Sequence, residues 1–398
     1  MANNDDLGDL EDMVDTETFQ EIKKPRCGIC SKLSTRQKTV LVVVLTGLLM
    51  LGIVIVALLP LTKSDAMTRS YYIAAVEVEW DYAPRPYDVT TDQEFDAFES
   101  KYVENADDQI GRKYKKATFY GYTDDTFEER TSTPDSEDYL GLLGPIIRGQ
   151  VGDTLEITVK NSLNFNITFV INGLQLLDVN GTVLIKDKVI APNTTETFIV
   201  EISSTNGPSS TDFSSVAYSY YSTNEEVIDY NTGLCGVVVI TKEGSADEDA
   251  YPTDVEQELV ILASVFDENL SMYICENIQQ YLQIQDCSLE MKNDNLIETN
   301  RKHAINGYLY GNQPNITITA GSRVRWYVIG LGEGTHTLIW GGQTLLTPTS
   351  RSGSVVVLPA TVYVMEMVPM ETGVWTVIAY GVDEQKGMSL VYTVTSAN

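Results

Sequence analysis

Histidine is nearly missing from this chain: His303 and His336 are the two present in 398 residues. A transition-metal centre built on imidazole and thiolate therefore has few donors to draw on. Cysteine is also sparse, with five in all. Cys235, Cys275 and Cys287 lie in the C-terminal bulk, and an odd number permits at most one bridge among them. No Gly-x-Ser-x-Gly nucleophile elbow, P-loop or dinucleotide fingerprint occurs. A Ser-His-Asp triad would have to be built on His303 or His336, so no catalytic residue is named. Basic charge is short as well, with 27 Lys and Arg against 56 Asp and Glu and a formal net charge of −29. That opposes nucleic-acid binding, which needs a basic surface. It also disfavours lying flat on anionic lipid, while allowing long-range attraction of a basic partner.

One long apolar run is present, Val40 to Leu61, between Lys38 and Lys63. As a helix at ~1.5 Å per residue it would span about 33 Å, enough for a hydrocarbon core of roughly 30 Å. Lys23, Lys24, Arg26, Lys32, Arg36 and Lys38 precede it, and only Lys63 and Arg69 closely follow. The positive-inside rule then predicts a single-pass type II membrane protein, with its C-terminal bulk extracellular or lumenal. Residues 1–38 read as a disordered cytosolic tail and 39–62 as the signal anchor. Cys27 and Cys30 beside the anchor are candidates for palmitoylation or are idle thiols. Five sequons, at Asn166, Asn180, Asn193, Asn269 and Asn315, all follow the run, as a glycosylated ectodomain requires.

After the run, period-two and β-branched segments dominate, such as Val76–Trp80, Thr154–Val159 and Thr197–Ile202, punctuated by Gly, Asn, Pro and Ser. This predicts an all-β fold. The acidic stretch 244–256 reads as a linker between two units, 68–243 and 257–398. The segment Gly152-Asp-Thr-Leu-Glu-Ile-Thr-Val159 is echoed by Gly321-Ser-Arg-Val-Arg-Trp-Tyr-Val328, which points to a tandem duplication. Cys275 and Cys287 would close a short loop. Cys235 sits in the apolar run Leu234–Ile240 and reads as a buried small hydrophobe.

Several motifs are more specific. Arg69-Ser-Tyr-Tyr-Ile-Ala-Ala-Val-Glu-Val-Glu-Trp-Asp-Tyr82, Tyr139-Leu-Gly-Leu-Leu-Gly-Pro-Ile-Ile147, His303-Ala-Ile-Asn-Gly-Tyr308, Arg325-Trp-Tyr327 and Leu358-Pro-Ala360 occur in order. Together they resemble an A domain of the ceruloplasmin, hephaestin and coagulation factor V and VIII family, within the multicopper oxidase superfamily. The resemblance implies two tandem cupredoxin-like Greek-key barrels from about residue 68 to the C-terminus. It also implies a trinuclear copper cluster held by four His-x-His pairs. Carried onto this chain, those pairs fall on Val170 and Asn172, Tyr221 and Thr223, Ile339 and Gly341, and Ile378 and Tyr380. None is histidine. Of the type 1 copper set, His336 and Met388 match as a weak remnant. Ala379 stands at the cysteine position, and the second histidine falls near Asp383 or Glu384. The family's acidic calcium loop is shortened between Leu177 and Val189. Tyr251, in an acidic stretch, is either a sulfated tyrosine like those in the resembled factors' linkers or an ordinary exposed one.

These readings lead to four expectations: no enzyme, no copper or other cofactor, a glycoprotein displayed at a membrane, and a degenerate A domain acting as recognition or scaffold module for an extracellular protein partner. The alternative is a metal-handling, copper-binding or ferroxidase-like protein of the same family.

Overall fold

Alternation of apolar and polar residues sets the strands. Along Thr154–Asn161, every second side chain, Leu155, Ile157, Val159 and Asn161, is buried and the others face outward. Where both faces are covered, alternation gives way to continuous burial, as in Cys235–Thr241 and Val324–Gly330. The structure is a computed structural model that describes residues 66–132 and 134–397.

The first half runs β1 (Thr68–Asp81), a hairpin of β2 (Tyr87–Asp88) and β3 (Gln93–Glu94), β4 (Lys113–Tyr122), β5 (Ile147–Gln150), β6 (Thr154–Asn161), β7 (Val170–Ile171), β8 (Thr195–Glu201), β9 (Ser215–Tyr221) and β10 (Cys235–Thr241). The second half supplies β11 (Gln257–Asp267), β12 (Arg301–Ile305), β13 (Ile316–Thr319), β14 (Val324–Gly330), β15 (His336–Trp340), β16 (Leu345–Leu346), β17 (Arg351–Ser352), β18 (Ser354–Val357), β19 (Thr361–Met367), β20 (Gly373–Ala379) and β21 (Ser389–Thr395).

Strand order repeats between the halves. Sheet β4-β1-β6-β8 is answered by β12-β11-β14-β19, which β16 and β17 extend. Sheet β5-β10-β9-β7 is answered by β13-β21-β20-β15, which β18 extends. Directions repeat too: β1–β6 and β11–β14 are parallel, and so are β10–β5 and β21–β13. The echo in the sequence falls on β6 and β14, the equivalent strands of the two halves.

One core cluster fills the first half around Phe169, Phe198 and Tyr220. A second joins Tyr82, Tyr139, Leu142 and Val237 of the first half to Leu259, Trp326 and Trp340 of the second. Asn306 is the hub of that junction. Its backbone is left-handed, at φ 53°. Its side chain accepts from the Leu262 amide and donates to the carbonyls of Tyr139 and Val260, while its own carbonyl accepts from the Leu142 amide. Gly141 is needed there, because a Cβ would lie 2.4 Å from the Asn306 carbonyl oxygen.

Buried charges also bind the halves. Arg325, fully buried, donates to Glu366 at 2.5 Å, to Asp254 at 3.0 Å and to the Ser214 and Ser215 hydroxyls at 2.7 Å. Arg148 pairs with Glu258 at 2.5 Å and lies 3.8 Å over the Tyr251 ring. Asp254 and Tyr251 belong to the acidic stretch, so these contacts fasten it to the sheets. Lys116 pairs with Glu268, which also accepts from Tyr82 at 2.5 Å.

The run Val40–Leu61, and with it Cys27 and Cys30, lies outside the described residues. Among the described residues no helix is long and apolar enough to cross a membrane. The expectation of a single-pass type II protein is withdrawn accordingly: the apolar length it was read from has no counterpart in any described helix.

Candidate metal centre

The two histidines are 33 residues apart in sequence, and the fold brings both to one carboxylate. β12 pairs antiparallel with β11, placing His303 opposite Val265. β15 begins at His336, opposite Val357 of β18. After β20, a turn through Gly381 leads into the helix Val382–Gln385, which presents Asp383. Asp383 Oδ1 accepts from His303 Nδ1 at 2.7 Å and Oδ2 accepts from His336 Nδ1 at 2.8 Å. Burial opposes ionisation of Asp383, but the hydrogen bonds from His303 and His336 outweigh it and hold the carboxyl below its usual range. Burial likewise pushes the His303 imidazole down, against the pull of Asp383.

Both rings are buried, His303 at 6% and His336 at 3% exposure. With Nδ1 of each ring committed to the carboxylate, Nε2 is the ring nitrogen left over, and neither Nε2 has a hydrogen-bond partner. Gly334 borders His336: a Cβ there would come within 3.3 Å of Cε1 and 3.5 Å of Nε2. Met388 is fully buried next in the chain. Its amide donates to the Asp383 carbonyl at 2.9 Å, and its carbonyl accepts from the Ala379 amide at 3.0 Å. Backbone hydrogen bonds thus tie Met388 and Ala379 to the turn that carries Asp383, which lies near where the sequence places the second histidine. His303 stands outside the His336 and Met388 remnant read from the sequence, and its bond to Asp383 was not foreseen there. The pairing spans 80 residues, and no local pattern signals it.

These residues do not fit a type 1 copper centre. That centre needs a thiolate, and the position holds Ala379. Among the described residues no group of three or more His, Cys, Asp or Glu is arranged to hold a metal ion. The eight positions of the implied cluster are not buried either. Val170, Asn172, Tyr221 and Thr223 line a cavity of about 510 Å³ on the first half, together with Phe169, Phe198, Lys186, Asp187 and Lys188. Ile339, Gly341, Ile378 and Tyr380 lie on an outward sheet face of the second half.

The other sequence candidates are placed as follows. Cys275 and Cys287 are joined, and Cys235 is a buried free thiol that burial pushes up to about 12. Asn166, Asn180, Asn193 and Asn315 are exposed. Asn269 is half-buried, and its amide donates to Asp267 at 2.7 Å and to the Ile297 carbonyl at 2.9 Å. Tyr251 donates to Glu137 at 3.3 Å from its seat on Arg148. In the shortened loop, Asp178 accepts from the amides of Asn180 and Thr182, which closes a turn with its carboxylate.

Comparison with known proteins gives this arrangement its setting. A family model described as multicopper oxidase matches residues 141–245. Hephaestin of Mus musculus is 33% identical over 338 residues, covering 83% of this chain and 29% of hephaestin. Ceruloplasmin of Rattus norvegicus is 32% identical, covering 86% of this chain and 33% of ceruloplasmin. Ferroxidase HEPHL1 of Homo sapiens is 30% identical, covering 84% and 30%. The chain spans about a third of the length of these relatives. A copper nitrite reductase from Nitrosomonas europaea superposes with a TM-score of 0.52 at 16% identity, covering 82% of this chain and 94% of that one, which shows a mostly β, cupredoxin-like fold. Two expectations drawn from the scarcity of histidine, no enzyme and no copper cofactor, are overturned by the multicopper oxidase match and by a relative named a ferroxidase. A tally of imidazoles measures ligand supply in one chain, and the family's chemistry is read from the whole aligned sequence. By that measure the chain belongs to the ceruloplasmin and hephaestin family of multicopper oxidases.

Proposed function

We propose that this chain is a metal-handling member of its family, ferroxidase-like in taking ferrous iron as substrate and binding a copper-class ion through ring nitrogen. The observation that carries the reading is the shared carboxylate. A metal-ligating histidine usually gives its other ring N–H to a carboxylate, which fixes the tautomer and raises the basicity of the donor nitrogen. His303 and His336 are both held in that way by Asp383, with buried, unpartnered Nε2 atoms. Imidazole suits copper, zinc and iron alike. Since the thiolate and the His-x-His pairs are missing, no electron-transfer step is assigned to these residues. In this reading the two sheet pairs correspond to units 68–243 and 257–398, joined by 244–256.

The test is metal retention and turnover on the purified full chain. After copper loading and exhaustive dialysis, the chain should retain metal that His336→Ala loses, and should oxidise ferrous iron with consumption of oxygen. A chain that retains no more metal than His336→Ala, and consumes no oxygen with ferrous iron, overturns the reading.

A further inference from the structure

Among the described residues, one sheet of the second half ends on a strand with a free edge. β18 pairs antiparallel with β15 and is the last strand in the order β13-β21-β20-β15-β18. Outside that pairing, no described hydrogen bond takes up the backbone of Val355 or Val356. The strand, Ser354-Val-Val-Val357, carries neither charge nor proline, the usual devices that keep a further strand away.

The inner side of β18 borders a cavity of about 390 Å³ between the halves, and Val355 lines it. Phe213 and Ala217 form its wall on the first half, and Val362 and Val364 of β19 form its wall on the second. Val355 lies opposite Leu338, whose side chain is buried, so both point inward from the sheet. A strand added to β18 would carry its residue opposite Val355 on the same face, toward the cavity.

Charge selects the residue. Asp212 is exposed, and it is the one charged residue in the cavity lining. Its carboxylate accepts from the Ser209 amide at 2.8 Å, and no described basic side chain pairs with it. Arg325 lies 5.3 Å from the Phe213 ring, but its charge is matched by Glu366 and Asp254. The cavity therefore combines apolar walls with an unmatched negative charge at its mouth. Lysine and arginine suit that pairing, because they bury an apolar stem and keep a charged head at the water boundary. The net charge of −29 draws a basic partner from longer range. Pairing β18 with its own copy would instead bring two Asp212 carboxylates to one seam with no cation.

We propose that an extended, basic segment of a partner protein adds as a further strand to the free edge of β18. A lysine or arginine opposite Val355 lies in the cavity, with its head on Asp212. Backbone pairing supplies affinity and the cavity supplies selection, as in other cases of strand addition. The contact goes beyond the proposed metal handling and does not depend on it, since none of its residues touches Asp383.

Binding of short labelled peptides to the purified full chain, read by fluorescence anisotropy, tests this. The probe alternates threonine and valine around a central lysine. It should bind saturably, and the same peptide with a central glutamate should bind at least about tenfold more weakly. Asp212→Asn, which keeps an acceptor for the Ser209 amide, should weaken the lysine peptide about tenfold and leave a norleucine peptide unchanged. Hydrogen exchange should slow at residues 354–357 on binding. Methylating the peptide's alternate backbone amides, one set or the other, should abolish binding for the set that faces β18. No saturable binding of the lysine peptide, or equal binding of the glutamate peptide, overturns the proposal. Binding that survives both methylated sets shows that no strand is added and overturns it as well. Hexylamine competing as well as the lysine peptide would assign the cavity to a small amine, with the same consequence. Circular dichroism confirms that Asp212→Asn is folded.

Discussion

Replacing Asp383 by alanine removes the one acceptor shared by both histidines. His303 Nδ1 and His336 Nδ1 lose bonds of 2.7 and 2.8 Å, and their Nε2 atoms have no partner to begin with. Each ring would then be buried with no hydrogen bond. An unsatisfied buried donor costs about 1–3 kcal/mol, or ~2–6 kcal/mol for two. The Asp383 side chain is 20% exposed, so water reaches part of the gap, and ~2–4 kcal/mol is the expected range. Asparagine keeps one acceptor oxygen and should cost about 1 kcal/mol, since one ring can still donate to it. Urea unfolding followed by circular dichroism reads both variants, with a lowered midpoint at unchanged slope as the sign of lost stability. A loss below about 0.5 kcal/mol for Asp383→Ala, at the level of an ordinary surface substitution, would refute the idea that this carboxylate secures the two rings.

Three further outcomes follow from buried groups. Burial pushes the Lys302 ammonium down to about 7, against the pull of Glu268, while the unfolded chain keeps a lysine near ~10.4. The unfolded state then binds more protons between those values, so stability should rise from pH 7 to about pH 9. Lys302→Met should flatten that slope while lowering stability throughout, because the carbonyls of Tyr102, Gly111 and Thr299 lose their donor. Cys235, fully buried and with its thiol at about 12, should resist iodoacetamide in native protein at pH 8 and react fully in denaturant; prompt native labelling would contradict the described packing. Glycopeptide mapping should find Asn269 far less occupied than Asn166 or Asn315, because its amide nitrogen already donates twice inside the fold.

Period-two runs made β6 and β8 legible in the sequence, because one face of each is buried and alternation records that directly. The repeat of Thr154–Val159 in Arg323–Val328 was legible for the same reason, and the matching strand order extends it. Other features depend on what a distant segment supplies. The acidic composition of 244–256 reads as solvated linker, yet Asp254 is one of the two carboxylates paired with buried Arg325, 71 residues away. Composition does not show that a buried guanidinium elsewhere needs a carboxylate. The shared carboxylate was illegible on the same ground. Counting from Ala379 and Met388 placed Asp383 near a lost ligand, but its bond to His303 exists only because β12 and the β20–β21 turn meet in space. The family motifs were recognised by their residues, order and spacing, and the structure supplies their reason: Tyr139, Gly141 and Asn306 meet at the junction of the halves.

That junction bears on how the protein would survive damage. Asn306 stitches the Tyr139–Leu142 segment to Val260 and Leu262 through five hydrogen bonds, none of which involves the chain between residues 244 and 256. A protease that nicked the acidic stretch would sever covalent continuity without parting the fragments. They would migrate together under native conditions and separate only in denaturant.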